Sequence, residues 1–332
     1  MEIRQRGLCR FPTSAVICPT QTMTIVSLFS GAGGLDLGLI QAGNQVIWAN
    51  DIARDAVETY RRNIGCHIVE GDVRELDFAA IPGADVVVGG FPCQGFSQAN
   101  FRRTANDDRN FLYRSFRDLV RLKQPKFFIA ENVKGILSMR KGEAVAEIER
   151  DFAEAGYLVE KHLVDMADYG VPQHRMRVIF VGQRRNLGNA MLFKFPAPTH
   201  GKKTSVPQIS IREALARFPD PDEPNDIPNH VYSKYKVEFR NFTGHRKTDP
   251  DKPCPTILAR GNGGGGVCAI PHWNGKRRLT IRESAAIQTF PDDFVFCGAT
   301  NSCYRQIGNA VPVLFARILG TELIRLEREL VI

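Results

Sequence analysis

The sequence predicts an α/β fold: a doubly wound, mostly parallel sheet joined to a second, smaller, loop-rich domain. Three observations predict it. From Thr24 to Gly182, short β-branched runs alternate with longer amphipathic stretches. The runs are almost continuously apolar, as expected of strands covered on both faces. After Gly182 the alternation gives way to a basic, proline-rich segment, and helical spacing returns near residue 282.

The elements follow in order. Residues 1–23 carry no hydrophobic period and read as a flexible leader, with Met23 as an alternative start. Strands are expected at 24–29 (TIVSLF), 45–50 (QVIWAN), 67–71 (HIVEG), 85–90 (DVVVGG), 126–132 (KFFIAEN) and 177–182 (RVIFVG). Helices are expected at 53–63, 111–122 and 143–156, then at 282–290 and 311–330. The last has apolar positions spaced to pack on a sheet, so the chain is expected to return to its first domain. The division is therefore 24–183 with 300–332 as one domain and 184–299 as the second domain and hinge.

Composition narrows the function. Of 332 residues, 43% are hydrophobic and 24% charged, which is ordinary for a globular protein and excludes disorder as the main state. No uninterrupted apolar run approaches the roughly 20 residues of a membrane span, and no secretory core opens the chain. A reducing cytoplasm is the expected setting. None of the eight cysteines sits in a C-x-x-C pair, so neither a structural metal nor a redox dithiol is expected. The charge is uneven. Residues 184–280 hold 17 Lys and Arg against 8 Asp and Glu, whereas the remainder holds 27 against 28. A positive, turn-rich region suits nucleic-acid phosphates, although a solvated variable surface has the same composition.

In an open α/β sheet, ligands sit at the carboxyl ends of the strands. The first expected strand ends in Phe29-Ser30-Gly31-Ala32-Gly33-Gly34, a glycine turn that admits a ligand close to backbone. Asp51 lies 20 residues after Gly31, where an acid usually bonds ribose hydroxyls. Asp72 could accept from an adenine amino group. In a dinucleotide fingerprint the third glycine would fall at Asp36, so a nucleoside without a pyrophosphate fits better, and S-adenosylmethionine is such a ligand. A tight turn without a ligand is the plain alternative. Cys93 stands in Gly90-Phe91-Pro92-Cys93-Gln94-Gly95, a proline-fixed loop suited to a nucleophile, although most buried cysteines only pack. Glu131 leaves the apolar run Phe127–Ala130, which would raise its pKa and let it donate a hydrogen bond, unless it merely caps a turn. Arg175 and Arg177 alternate, so both are expected on one side, facing either a cleft or a solvated edge.

Together these residues resemble the DNA (cytosine-5)-methyltransferase family. FSGAGGLDLGL, GGFPCQGFSQAN, ENV, QHRMR, RESAAIQTFPDDF and YRQIGNAVP resemble six of its motifs in their family order, across nearly all of 24–330. The resemblance implies a methyltransferase fold and S-adenosylmethionine as co-substrate, with no metal. Cys93 would attack cytosine C6, Glu131 would hold N3, Arg177 would bind O2, and Arg175 would meet a phosphate or the ring edge. Phe29, Ser30, Gly31, Gly33, Gly34, Asp51, Ile52, Asp72 and Val73 would line the donor pocket, with Leu112 and Asn309 contributing. Ile52 stands where the family often has a tryptophan, which weakens the case for stacking on adenine there. Gln94, Ser97, Arg109, Thr256 and Arg260 would meet double-stranded DNA, with 97–110 as a mobile loop and 184–299 as the target-recognition domain.

The target cytosine would be flipped out of the duplex. The size suits a restriction–modification methylase acting as a monomer, possibly beside a separate endonuclease, with no membrane partner. The competing readings are a tRNA cytosine-5 methyltransferase of the same fold, a nicotinamide oxidoreductase and a non-catalytic DNA-binding protein.

Overall fold

Residues 22–92, 111–237, 247–259 and 269–330 are described in a computed structural model. Seven strands pair into one sheet: β1 (Thr24–Leu28), β2 (Gln45–Asp51), β3 (Ile68–Glu70), β4 (Val86–Gly89), β5 (Phe127–Val133), β6 (Tyr157–Asp165) and β7 (Met176–Arg184). Their order is β3-β2-β1-β4-β5-β7-β6. The first five run parallel, and β7 is antiparallel to both β5 and β6. The order reverses between β1 and β4, which opens a crevice at the carboxyl ends of those strands.

Eight α-helices are assigned among the described residues: α1 (Gly34–Gln41), α2 (Arg54–Asn63), α3 (Phe111–Lys123), α4 (Glu143–Glu154), α5 (Ile211–Leu215), α6 (Ile281–Ile287), α7 (Thr300–Asn309) and α8 (Val313–Leu330). The expected strands and helices are present with shifted ends. Strand β6 was not expected. Its sequence, YLVEKHLVD, carries Glu160, Lys161 and His162 at its centre, and it pairs only with β7 at the sheet's edge. A strand in that position needs no continuous apolar run.

Side-chain alternation divides the core in two. Ile25, Val46, Val86, Val88, Phe127 and Ile129 face helices α1 and α8. Val26, Leu28, Val87, Phe128 and Ala130 face helices α3 and α4, where Phe116, Ile148 and Phe152 are fully buried. Each large side chain buried this way contributes about 1.5–3 kcal/mol. Residues 300–330 are apolar enough by composition to suit a bilayer. Here Val313, Phe315, Leu319, Leu323 and Leu326 are buried within the fold.

The basic segment has little regular structure in its described part and seats itself on a third cluster. Ile211, Leu215, Cys254, Ile257 and Ile270 pack with Ile281, Ile287, Tyr304 and Ile307, and the cluster reaches Ala32 of the glycine turn. The Glu283 carboxylate receives the Thr280 N–H of the α6 capping box and a buried ion pair from Arg277 at 2.7 Å.

Candidate active site

The glycine turn leaves β1 through three left-handed residues, Phe29 (φ 56°), Gly31 (φ 57°) and Gly33 (φ 89°). For Phe29 this conformation is strained, a feature that concentrates at ligand sites. A side chain added at Gly31 would meet nothing within 4 Å, so this backbone faces open space. Gly33 is different, because a Cβ there would strike Tyr60, at 2.8 Å, and Ile64. Gly34, expected in the donor pocket, also packs closely against the chain. A Cβ there would lie 2.5 Å from the Val311 carbonyl, so its absence lets α1 approach the chain leading into α8.

Asp51 ends β2 beside this turn. Its Oδ2 accepts the Gly31 N–H at 2.8 Å and its Oδ1 accepts the Ala53 N–H at 2.8 Å. Burial raises its pKa, while the bonds from Ala53 and Gly31 oppose that rise. Ile52, the next residue, is 66% exposed and offers a bare apolar surface at the mouth. Asp72 departs from the expectation of a free acceptor. The Arg74 side chain binds both its carboxylate oxygens and lowers its pKa, chiefly through that hydrogen bonding. Val73 is buried in the following turn. Leu112 packs half-buried on the second core face, and Asn309 is exposed at the end of α7.

Across the switch point, β4 and β5 align so that Gly89 pairs with Ala130. Glu131 follows, still paired with Ile179 of β7, and lies next to Gly90, where a Cβ would lie 3.3 Å from its Oε2. Register brings Val133 of β5 opposite Arg177 of β7, and Arg177 Nε lies 2.6 Å from Glu131 Oε1. Both side chains are nearly buried. The purely apolar setting expected for Glu131 is therefore replaced by one that includes the Arg177 guanidinium. The next residue, Asn132, donates Nδ2–H to the Phe91 carbonyl at 3.0 Å and so holds the start of the loop that carries Cys93. Cys93, Gln94, Ser97, Arg109 and Arg260 lie outside the described residues.

Arg175 does not face an open cleft. It is 1% exposed, and it donates to the Ile257 carbonyl at 3.2 Å and the Gly308 carbonyl at 3.0 Å. Burial, with Arg177 nearby, pushes its pKa down to about 9, while Glu131 opposes the shift. It ties the strand edge to the basic segment and to α7. Gln173 does the same. Its Nε2–H donates to Gln288 Oε1 at 2.9 Å and its Oε1 accepts the Ile257 N–H at 2.9 Å. Thr256 donates its hydroxyl to the His174 carbonyl at 2.7 Å.

Three contributors escaped the sequence reading. Asn132 and Gln288 act through carbonyls distant in sequence, which no local pattern signals. Asp36 carried a signal, an acid where a fingerprint would have glycine, and it lies fully buried beneath the turn. A cavity of about 350 Å³, lined by Tyr232, Lys234, Tyr235, Lys236, Lys276 and Arg277, lies in the basic segment rather than at the sheet edge.

Comparison with known proteins matches residues 23–257 and 225–325 to the model of the C-5 cytosine-specific DNA methylase family. The Type II methyltransferase M.NgoFVII of Neisseria gonorrhoeae is 40% identical over 314 residues, spanning 87% of this chain and 83% of that protein. M.BsuRI of Bacillus subtilis is 36% identical, spanning 91% and 79%. The crystal structure of an E. coli prophage protein, assigned as a DNA modification methyltransferase, superposes with a TM-score of 0.70 at 27% identity, covering 92% of this chain and 99% of that one.

Proposed function

The chain belongs to the C-5 cytosine-specific DNA methylase family and is a DNA cytosine-5 methyltransferase, and on that premise we propose how its residues divide the reaction. The observation that most supports the reading is the Glu131–Arg177 pair, set at the carboxyl edge of the sheet beside Gly90.

The methyl donor is S-adenosylmethionine, which when bound supplies an electrophilic methyl group. The glycine turn fits such a group. Its backbone is open at Gly31, an acid stands at Asp51, and Ile52 presents an apolar surface. Asp51 holds the ribose hydroxyls, and Phe29, Gly31 and Val73 form the walls.

The target cytosine is flipped out of a short specific duplex sequence into the crevice, at a cost of a few kcal/mol that phosphate contacts offset. The Cys93 thiolate adds to C6, forming an S–C6 bond and moving the C5–C6 π electrons to C5. Glu131 hydrogen-bonds N3 and Arg177 the O2 carbonyl, so charge that builds on the ring meets a fixed cation. The electron pair at C5 would form the C5–CH3 bond as the donor's S–CH3 bond breaks, leaving S-adenosylhomocysteine. Loss of the C5 proton then restores the C5–C6 double bond and expels Cys93 as thiolate.

Residues 24–183 with 300–332 perform this chemistry, and 184–299 read the target sequence, with Thr256 and Arg260 near the DNA. The enzyme works as a monomer in the bacterial cytoplasm and protects DNA in a restriction–modification system beside a separate endonuclease.

DNA containing 5-fluorocytosine tests the covalent route, because that C5 carries no proton to lose. The wild-type protein should remain attached to it through a denaturing gel, and Cys93→Ser should not. An active enzyme that gives no adduct overturns the route. Bisulfite sequencing of DNA from expressing cells reads the modified base and its sequence context together.

A further inference from the structure

Beneath the glycine turn lies a chain of hydrogen bonds that the reaction above leaves unused. Asp36, Ser27 and Tyr60 are each fully buried. Ser27 donates to Asp36 Oδ1 at 2.7 Å and Tyr60 donates to Asp36 Oδ2 at 2.9 Å. On one side Ser30, a residue of the turn, donates to Ser27 Oγ at 2.9 Å. On the other, the Tyr60 ring is what a side chain at Gly33 would strike. One carboxylate thus braces both flanks of a turn whose left-handed residues include a phenylalanine. Behind Tyr60, the half-buried His67 places Nε2 3.0 Å from the phenol oxygen and extends the chain toward the surface.

We propose that Asp36 is a positioning residue for the methyl-donor turn, and that its ionised form holds Phe29–Gly33 in the donor-binding conformation. The inference rests on the reading of this turn as the donor site. Both hydroxyls donate to the carboxylate, so a proton on Asp36 must displace one of them. Tyr60 has an alternative acceptor in a neutral His67, and Ser27 has one in Ser30 Oγ, whose own proton can turn to the Ser27 carbonyl at 3.2 Å. Protonation therefore releases one brace.

The surroundings place this event in an accessible pH range. Burial raises the Asp36 pKa to about 6, against the opposing bonds from Ser27, Tyr60 and Ser30, and among the described residues no cation is paired with it. The groups that face it are Ser27 from β1, Ser30 from the turn, and Tyr60 from α2 with His67 behind it. The pKa of Tyr60 is raised by burial and by Asp36, and that of His67 is lowered by burial. Helix α8 meets α1 at Gly38, about 200° around the helix from Asp36, through Ala316 and backbone. Strand β2 brings the apolar Val46 and Ala49.

Calorimetric titration of the full chain with S-adenosylmethionine, and separately with its uncharged product S-adenosylhomocysteine, tests this from about pH 5 to pH 8. Wild-type affinity for both ligands should fall about tenfold as pH drops through the Asp36 transition. Asp36→Asn, which fits the same space, should bind both about tenfold more weakly at the upper pH and lack that transition. Any step due to Asp51 persists in both proteins. Ser27→Ala removes a bond that favours the charged carboxylate, so its midpoint should move to higher pH.

An unchanged profile in Asp36→Asn overturns the proposal. A loss confined to the charged donor also overturns it, because charge would then act directly rather than through the turn. A wild-type protein that binds neither ligand at any pH sinks instead the assignment of the donor site.

Discussion

Arg177 Nε and Glu131 Oε1 lie 2.6 Å apart although their residues are 46 positions apart in sequence, because antiparallel pairing sets β7 against β5. The pair is a consequence of strand direction, and it gives the crevice both an acid and a cation at one point.

Removing the cation should be severe. Arg177→Ala strands a nearly buried carboxylate and takes away the donor proposed for O2, and methyl transfer should fall about 10²–10³-fold. Arg177→Lys should recover little of it, since an ammonium lacks the planar fork. Single-turnover rates with labelled donor measure both variants.

Asp51→Asn should weaken donor binding about 10–100-fold. It turns one acceptor of the Gly31 and Ala53 N–H groups into a donor that opposes them. Equilibrium dialysis with labelled donor reads this without any turnover.

Asn132→Ala should slow the rate of adduct formation with 5-fluorocytosine DNA about tenfold, by freeing the Phe91 carbonyl that it holds. Donor affinity should be unchanged, which separates this effect from a general loosening of the sheet edge.

Gly38→Ala should cost about 1–3 kcal/mol of stability. The new methyl group would collide with Ala316 and with the α8 backbone at Val313 and Arg317. The urea midpoint should drop with an unchanged slope.

The Michaelis constant for DNA should climb steeply with salt, reflecting the positive excess of residues 184–280. Lys234→Ala and Lys276→Ala, at the mouth of the cavity in that segment, should each flatten the logarithmic salt slope by about one. A slope indifferent to both would remove this surface from the phosphate path.

The sequence made legible what short-range pattern controls. Apolar runs located β1 to β5 and β7, and the residues just beyond them, Phe29, Asp51 and Glu131, do stand at one edge of the sheet. What it hid depends on partners far along the chain. The 3.6-residue and two-residue periods carry no information on strand direction, so the direct pairing of Arg177 with Glu131 follows from no local pattern, although the motif resemblance sets both at one ring. Arg175 read as a cleft residue because its acceptors, Ile257 and Gly308, are 82 and 133 positions away. The packing of Gly34 stayed hidden because nothing local announces that the chain leading into α8 will lie across it.

The contact of α8 with α1 also governs the order in which the molecule can be made. A ribosome finishes the first helix long before it has polymerised Val313–Leu330, so one side of the nascent sheet stays uncovered until those residues have been made. Chains arrested before residue 313 should be cut readily by protease within β1 and α1, and adding α8 back as a separate peptide should protect them.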